Sequence, residues 1–225
     1  MGAVKVVVLV PWRAGDELRE QSWAVVRPYL EKLNWPIYEG DCDGLWSRGA
    51  AINAAAAEAG DWDVAVIADA DTIPPQGLDT AVGVAHATGG GIRPHDHLYR
   101  LTPAGSVRMA WSGIAGIVPE LHIDREFPGG GLLVVSRKGW DAVGGFSTDF
   151  QEWGHEDSYF NIQLLLHADW DRLPGEAYHL WHPAPARNNK SYRTNRQLLA
   201  SARQVHRTQI LEAEARKGWS IGRVL

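Results

Sequence analysis

Short apolar runs and longer amphipathic segments alternate through the first seventy residues of the chain. Residues 4–10 and 63–68 are continuous apolar runs, typical of strands buried on both faces of a sheet, and residues 37–39 form a shorter run. Between them, apolar side chains recur at helical spacing over residues 16–33, and the alanine-rich residues 47–59 begin at a serine suited to capping a helix. This alternation predicts an α/β fold with a mainly parallel, doubly wound sheet flanked by helices.

The pattern is less regular in the rest of the chain. Residues 88–106 are rich in glycine and proline and are expected to form a loop. A glycine turn at residues 127–131 leads into an apolar run that predicts a further strand. Four more elements are predicted: helices over residues 137–143, 155–167 and 191–217, and a short strand over residues 178–181.

The charge and the cysteine content limit the classes of partner and compartment. A net charge of −5 argues against a protein whose whole surface binds nucleic acid, although six basic residues from Arg187 to Arg207 leave room for a local basic patch. The single cysteine, Cys42, excludes an intramolecular disulfide, and the short apolar N-terminus is interpreted as a strand and not as a signal peptide. Since no apolar run reaches about 18 residues, no membrane span is expected, and the chain is predicted to be cytoplasmic.

Two aspartates directly follow the third apolar run of the chain. Asp69 and Asp71 are one residue apart and would repel each other at a strand end unless a cation bound there. Mg²⁺ and Mn²⁺ prefer carboxylate oxygens together with substrate phosphates. The alternative is a solvated acidic loop, but the buried strand before the pair favours a metal site. Pro11 and Arg13 end the first predicted strand and are expected at the same carboxyl edge of the sheet, where ligands bind.

A second acidic pair, Glu156 and Asp157, follows Trp153 and a glycine at the start of a predicted helix. The helix dipole stabilises carboxylates in the first turn, so simple capping is one interpretation. The aromatic and apolar face of this helix favours another, in which a carboxylate serves as a base on a rigid element. The glycines Gly129 and Gly130 form either an ordinary tight turn or a backbone that a ligand can approach closely.

Two histidines, His179 and His182, lie three residues apart in and beside the last predicted strand. Side chains alternate between the two faces of a strand, so we expect these two to point in opposite directions. Only one of them is then available to a metal ion. His182 is the preferred ligand, and His179 is its rival.

The segment from residue 127 to residue 157 resembles the C-terminal signature of glycosyltransferases with the GT-A fold, the fold of nucleotide-diphospho-sugar transferases. It contains, in order, Phe-Pro-Gly-Gly-Gly, an apolar strand, a helix, Gly-Gly-Phe and Trp-Gly-His-Glu-Asp. The pattern is most similar to the β-1,4-galactosyltransferases and the polypeptide N-acetylgalactosaminyltransferases. With the segments that follow the first and third strands, the resemblance covers residues 4–185.

The resemblance implies a role for each candidate residue. Asp71 and His182 match the direct ligands of a Mn²⁺ or Mg²⁺ ion, with Asp69 oriented towards the metal or the ribose. Asp157 matches the catalytic base of inverting galactosyltransferases, and Glu156 matches their acceptor-binding acid. The implied contacts to the donor come from Pro11, Arg13, Arg48, Asp69, Gly129, Gly130 and Trp153.

The implied activity is transfer of a hexose or an N-acetylhexosamine from a UDP-sugar to an acceptor hydroxyl, with inversion of the anomeric centre. Retaining N-acetylgalactosaminyltransferases have Asn where this chain has Asp157, which favours inversion. A retaining transferase, a nucleotidyltransferase and a non-catalytic nucleotide-sugar-binding module are the alternatives. The acceptor is left open between a glycan, a protein hydroxyl, a small molecule and a modified base in DNA.

Neither an internal repeat nor a low-complexity linker interrupts the chain, so residues 1–225 are expected to form one domain. Within it, residues 1–95 are expected to bind the nucleotide-sugar and residues 96–190 to bind the acceptor and carry the catalytic groups. Residues 191–225 are expected to form a C-terminal helical segment.

Overall fold

The computed structural model describes residues 2–118, 122–123, 130–183 and 187–217. In these ranges the strands are β1 (Val6–Pro11), β2 (Ile37–Gly40), β3 (Val64–Ala68), β4 (Thr72–Ile73), β5 (Gly91–Arg93), β6 (His97–Leu101), β7 (His122–Ile123), β8 (Leu132–Ser136), β9 (Trp170–Arg172) and β10 (Glu176–His179). The α-helices are α1 (Glu17–Glu31), α2 (Arg48–Ala59), α3 (Leu78–Thr88), α4 (Pro103–Ser112), α5 (Arg137–Val143), α6 (Glu156–His167), α7 (Lys190–Val205) and α8 (Arg207–Lys217).

The central sheet has six strands in the order β2-β1-β3-β8-β5-β9. β1 is parallel to β2 and β3, as the alternation predicts, and β9 is parallel to β5, whereas β8 runs antiparallel to β3 and β5. The prediction of a mainly parallel sheet flanked by helices is therefore confirmed. Because Ala68 pairs with Leu132, the antiparallel β8 begins at the edge where β3 ends.

Helices cover both faces of this sheet and form two layers of core. Along β1, Val8 and Val10 pack on the face covered by α1 and α3, whereas Val7 and Leu9 pack on the face covered by α2 and α6. A strand covered on both faces has no polar side to present to solvent. This burial explains why β1 and β3 are continuous apolar runs and not alternating ones.

A second sheet of four strands, in the order β4-β10-β6-β7, was not predicted. In it, β10 is parallel to β6 and antiparallel to β4, and Thr72 pairs with His179. This pairing brings the residues that follow β3 beside the residues that end β10. The second sheet therefore joins two segments of the candidate site that are far apart in the chain.

Residues 88–106 do not form the expected loop, since they contain β5, β6 and the start of α4. A Cβ on Gly90 would lie 2.3 Å from the backbone oxygen of Asp169, and a Cβ on Gly91 would lie 2.6 Å from Leu164 Cδ1. These glycines are therefore required by close packing and do not mark a turn.

The remaining differences concern helices and short strands. The helix expected over residues 191–217 is two helices, α7 and α8, which are separated at His206. Helix α3 and strands β4 and β9 were not predicted. Ser47 caps α2 as expected, because its side chain accepts a hydrogen bond from Ala50 N–H. In the described part of the chain, no helix is both long enough and apolar enough to cross a membrane.

Candidate active site

Asp69 and Asp71 lie in the turn between β3 and β4, at the carboxyl edge of the central sheet. The Asp69 N–H donates to the backbone oxygen of Gly131 (2.9 Å), which ties the turn to the segment entering β8. The Thr72 N–H donates to Asp69 O (3.1 Å), and the Leu180 N–H donates to Asp71 O (2.8 Å). Both carboxylates are thus attached to a backbone that the two sheets fix in place.

Among the described residues, Asp71, His179 and His182 form the one group that is arranged to hold a metal ion. Their ligand atoms lie within 4.8 Å of one another. His179 Nε2 is 3.6 Å from Asp71 Oδ1, and His182 Nε2 is 3.5 Å from Asp71 Oδ2. One carboxylate and two imidazoles form a donor set that suits first-row divalent ions such as Mn²⁺.

The expectation that His179 and His182 point in opposite directions is wrong. β10 ends at His179, so the alternation of side chains along a strand does not extend to His182. The two imidazole rings lie 5.0 Å apart, on the same side as Asp71. The geometry therefore offers both histidines to a metal ion and does not make them rivals.

The protonation states of this group suit a cation. Burial opposes ionisation of Asp71, but His179, His182 and a hydrogen bond from Thr72 outweigh burial and lower the pKa of the carboxyl group. Burial lowers the pKa of His179 against the opposing effect of Asp71. An ionised carboxylate and a neutral imidazole are the forms in which these side chains bind metals.

Arg48, the first residue of α2, connects the two acidic motifs. Its Nε donates to Asp69 Oδ1 (2.6 Å), and its Nη1 lies 3.8 Å from Glu156 Oε1. Burial disfavours the charged guanidinium, but Asp69, Glu156 and Asp157 outweigh this effect and raise the pKa of Arg48. The Asp69 carboxylate thus faces Arg48, and in the described residues it is not part of the group around Asp71.

The loop before α6 has an unusual backbone. Glu152 and His155 have positive φ values of 59° and 78°, and Gly154 has a φ of 107°. For residues other than glycine, such conformations cost about 1–3 kcal/mol each, and they occur preferentially at active sites. The surrounding structure must therefore hold this loop.

Two helices supply that support. At the N-terminus of α2, Ser47 Oγ donates to the backbone oxygen of Phe150 (2.8 Å). From α7, the buried Asn195 donates through Nδ2 to the backbone oxygen of Gln151 (2.8 Å). The position of the acidic pair is consequently determined by α2 and α7 as well as by α6.

Glu156 and Asp157 begin α6 but have different surroundings. Glu156 is buried, and burial together with the charge of Asp157 raises its pKa to about 7 against the opposing effect of Arg48. Asp157 is half-buried and lies against Gly130, where a Cβ would be 2.5 Å from Asp157 Oδ2. Asp157 therefore has the more accessible carboxylate of the two.

Pro11 and Arg13 lie at and just beyond the carboxyl end of β1. Arg13 donates through Nε to Asp41 Oδ1 (2.7 Å) and through Nη1 to the backbone oxygen of Gly44 (3.1 Å). Its guanidinium lies 5.2 Å from the centre of the Trp46 ring. Arg13 thus binds the loop that follows β2. Arg13 also lies at the edge of the sheet where β1 ends at Pro11.

The other predicted donor contacts lie near the acidic pair or outside the described residues. Trp153 is 40% exposed, so much of its indole is accessible to a ligand. Gly130 lies against Asp157, and a side chain there would displace the carboxylate. Gly129 falls outside the described residues.

Arg93 was not identified from the sequence, because residues 88–106 were expected to be a loop. It ends β5 and is buried, with its guanidinium 5.0 Å from the centre of the Trp170 ring. Burial lowers the pKa of Arg93 to about 10 against the attraction of Asp157. Arg93 follows three glycines and one isoleucine, so no local pattern in the sequence pointed to it.

The chain is similar to known proteins in part of its sequence and in its fold. Residues 116–182 match a family model described as the N-terminal domain of galactosyltransferase. Comparison with curated protein sequences finds no match. The catalytic domain of Drosophila β1,4-galactosyltransferase 7, solved with xylobiose, superposes with a TM-score of 0.57 at 18% identity, over 86% of this chain and 80% of that chain.

Two further solved structures have a similar fold. GalNAc-T7, solved with UDP, GalNAc and Mn²⁺, gives a TM-score of 0.52 at 12% identity, over 89% of this chain and 42% of that chain. Glucosyl-3-phosphoglycerate synthase from Mycobacterium tuberculosis was solved with Mn²⁺, UDP-glucose and phosphoglyceric acid. It gives a TM-score of 0.50 at 13% identity, over 89% of this chain and 79% of that chain. These likenesses show the GT-A fold, and the family match supports a glycosyltransferase.

Proposed function

We propose that the chain is a metal-dependent glycosyltransferase that moves a hexose or an N-acetylhexosamine from a UDP-sugar to an acceptor hydroxyl with inversion. One observation carries the proposal: the ligand atoms of Asp71, His179 and His182 converge at the sheet edge where Gly130 lies against Asp157. A metal site and a carboxylate base on one edge are the two components that metal-assisted glycosyl transfer requires.

A UDP-sugar donor and a divalent cation follow from the same residues. GalNAc-T7 and the mycobacterial synthase were both solved with Mn²⁺ and a uridine nucleotide, which supports this choice for a chain of the same fold. Asp71, His179 and His182 would hold Mn²⁺ or Mg²⁺, and the bound ion supplies a Lewis acid for the charge on the departing UDP. The proposed donor contacts come from residues 1–95, from the glycines before β8 and from the loop before α6: Pro11, Arg13, Arg48, Asp69, Gly129, Gly130 and Trp153.

Asp157 is the proposed base, and the acceptor half is proposed to span residues 96–190. The carboxylate takes the proton of the acceptor hydroxyl as that oxygen attacks the anomeric carbon from the face opposite UDP, which inverts the anomer. Glu156 is the proposed acceptor-binding acid, and its pKa of about 7 allows it to donate or accept a hydrogen bond at neutral pH. Arg48 lies between Glu156 and Asp69 and pairs with both carboxylates, so it fixes their orientation.

The proposal is tested by UDP release from a panel of UDP-sugars, with Mn²⁺ and with EDTA. We expect turnover of one donor that requires the metal and is lost in Asp71→Ala. Asp157→Asn should lower turnover by about 100- to 10,000-fold, the usual contribution of a general base, and should leave donor binding intact. Asp141→Asn is the matched control, because Asp141 is exposed and pairs only with Arg137 among the described residues.

Three results would count against this assignment. Absence of turnover, together with absence of metal-dependent binding of any UDP-sugar by calorimetry, would refute the transferase. Turnover that persists in Asp157→Asn would refute the base, and a product with a retained anomer in NMR spectra would favour a retaining transferase of the same fold.

A further inference from the structure

An aromatic and cationic cluster surrounds the outer side of the loop before α6. The Trp153 and Tyr192 rings are stacked, 5.6 Å apart and 12° from parallel, and the Arg187 guanidinium lies 5.5 Å from the centre of the Trp153 ring. The His155 and Tyr192 rings lie 5.1 Å apart. A Cβ on Gly154 would lie 3.3 Å from the Tyr192 ring, so the loop rests directly on this side chain.

Helix α7 presents further arginines on the face that carries Tyr192. Tyr192, Arg196, Leu199 and Arg203 are spaced by four, three and four residues, so they lie along one side of the helix. Leu199 is buried, which shows that this side faces the protein. The neighbouring Asn195 binds the loop, as described above. Arg196, which is exposed, and Arg203, which is half-buried, therefore lie along the side of α7 that carries Tyr192 and Leu199.

Within the described part of the chain, these arginines lack a counter-charge. In the described ranges, neither Arg187, Arg196 nor Arg203 pairs with a carboxylate, although Arg13 and Arg137 do. The Nε of Arg203 is buried without a hydrogen-bond partner. A buried donor without an acceptor costs free energy, so the described part of the protein leaves the Arg203 guanidinium uncompensated.

Their charges act next to the proposed base. Burial lowers the pKa of His155, the attraction of Asp157 opposes this effect, and the charges of Arg203, Arg196 and Arg187 lower the pKa further. His155 is two residues before Asp157 in the chain. The three arginines and the proposed base thus act on the same imidazole, with opposite signs of charge.

We infer that the acceptor is a saccharide or small polyol that carries an anionic group, a phosphate, a sulfate or a carboxylate, bound by Arg187, Arg196 and Arg203. This inference rests on the proposed transferase function and names the acceptor class of the same site. Guanidinium groups bind such oxyanions through paired, charge-assisted hydrogen bonds. Three arginines suit one anionic group, whereas proteins that bind DNA tightly contact about 6–10 phosphates.

The test compares the binding of matched sugars by ligand-observed NMR and by titration of tryptophan fluorescence, without donor. The probes are glucose against glucose 6-phosphate, glucose against glucuronate, and N-acetylglucosamine against its 6-sulfate. We expect at least one charged member to bind about tenfold more tightly than its neutral partner. The preference should weaken as salt rises from 0.1 M to 1 M, where the Debye length falls from about 10 Å to about 3 Å.

One variant is the double substitution Arg196→Gln and Arg203→Gln. The other is Arg187→Gln, which should not affect folding because Arg187 is exposed and lies outside the described helices. Each should reduce the charged-to-neutral preference to about twofold or less. Arg193→Gln is the control on the same helix, since Arg193 is exposed and donates to the backbone oxygen of Asn188 (3.0 Å). It should keep the wild-type preference.

Equal binding of charged and neutral sugars would overturn the inference, and so would a preference that survives in both the Arg196/Arg203 double variant and Arg187→Gln. Tighter binding of a DNA oligonucleotide than of any charged sugar would replace the saccharide with nucleic acid. UDP-sugar binding with and without Mn²⁺ is measured in parallel. Loss of that binding alone counts against the transferase, whereas intact donor binding without an anion preference counts against the acceptor class only.

Discussion

Gly130→Ala should disable catalysis while leaving the fold intact. The added Cβ would lie 2.5 Å from Asp157 Oδ2, whereas ordinary van der Waals contact begins at 3.4 Å. The carboxylate must therefore retreat by about 0.9 Å, the difference between these two distances. Gly130 does not have a positive φ, so the substitution tests this close approach without adding backbone strain.

The size of the effect follows from that displacement. A misplacement of about 1 Å at a reacting group costs about 100-fold in rate, which corresponds to about 2.7 kcal/mol in the activation free energy. The obstacle is the far end of a side chain that can rotate, so the free energy of unfolding should fall by less than about 1 kcal/mol. We therefore expect kcat at saturating donor to fall about 100-fold.

The assay is UDP release under saturating donor, together with urea unfolding and donor calorimetry. Gly83→Ala is the matched control, because Gly83 lies in α3 with no atom within 4 Å of an added Cβ. This control should keep wild-type kcat and gain about 0.5–1 kcal/mol in stability. If Gly130→Ala kept kcat within twofold of wild type, the approach of Gly130 to Asp157 would have no part in catalysis.

Two further predictions concern the buried charges. Arg48→Met leaves the carboxylates of Asp69 and Glu156 without their cation, so the free energy of unfolding measured in urea should fall by about 3 kcal/mol or more. The control is Lys5→Met, which removes an exposed ion pair and should leave the urea midpoint unchanged. A loss in Arg48→Met no larger than in the control would contradict the bridging role of Arg48. Glu156 has a folded pKa of about 7 against an ordinary value of 4.5, so its stabilising contribution is complete below pH 4.5 and is lost as pH rises through 7. As pH rises from 5 to 8, the free energy of unfolding of the wild type should therefore fall by about 3 kcal/mol more than that of Glu156→Gln, as measured by urea unfolding. If the two proteins had parallel pH profiles, the raised pKa of Glu156 would be refuted.

The first five elements could be predicted because each depends on nearby residues. β1, α1, β2, α2 and β3 differ from their predicted bounds by at most two residues. β1 and β3 are buried on both faces and are therefore apolar, and the helices between the strands repeat their apolar residues at the helical period. The short β5 carries no such pattern, since its glycines are set by contacts with Asp169 and Leu164.

The candidate site was only partly accessible to this reasoning. The acidic pairs could be recognised because each follows a strand or begins a helix. The convergence of His179 and His182 depends on where β10 ends, which two histidines in a sequence do not reveal. The bridge from Arg48 to Asp69 and Glu156 joins three segments that local patterns do not relate.

The sequence by itself determined the α/β alternation and the chemical types available at the ends of the strands, because both depend on local spacing and on the side chains themselves. Only the tertiary structure decided which of these side chains meet. Pairing of β4 with β10 sets Asp71 beside the histidines, and packing of α7 sets Tyr192 beside Trp153. These contacts join residues far apart in the chain, and their geometry depends on the packing of whole elements, which no short window of sequence contains.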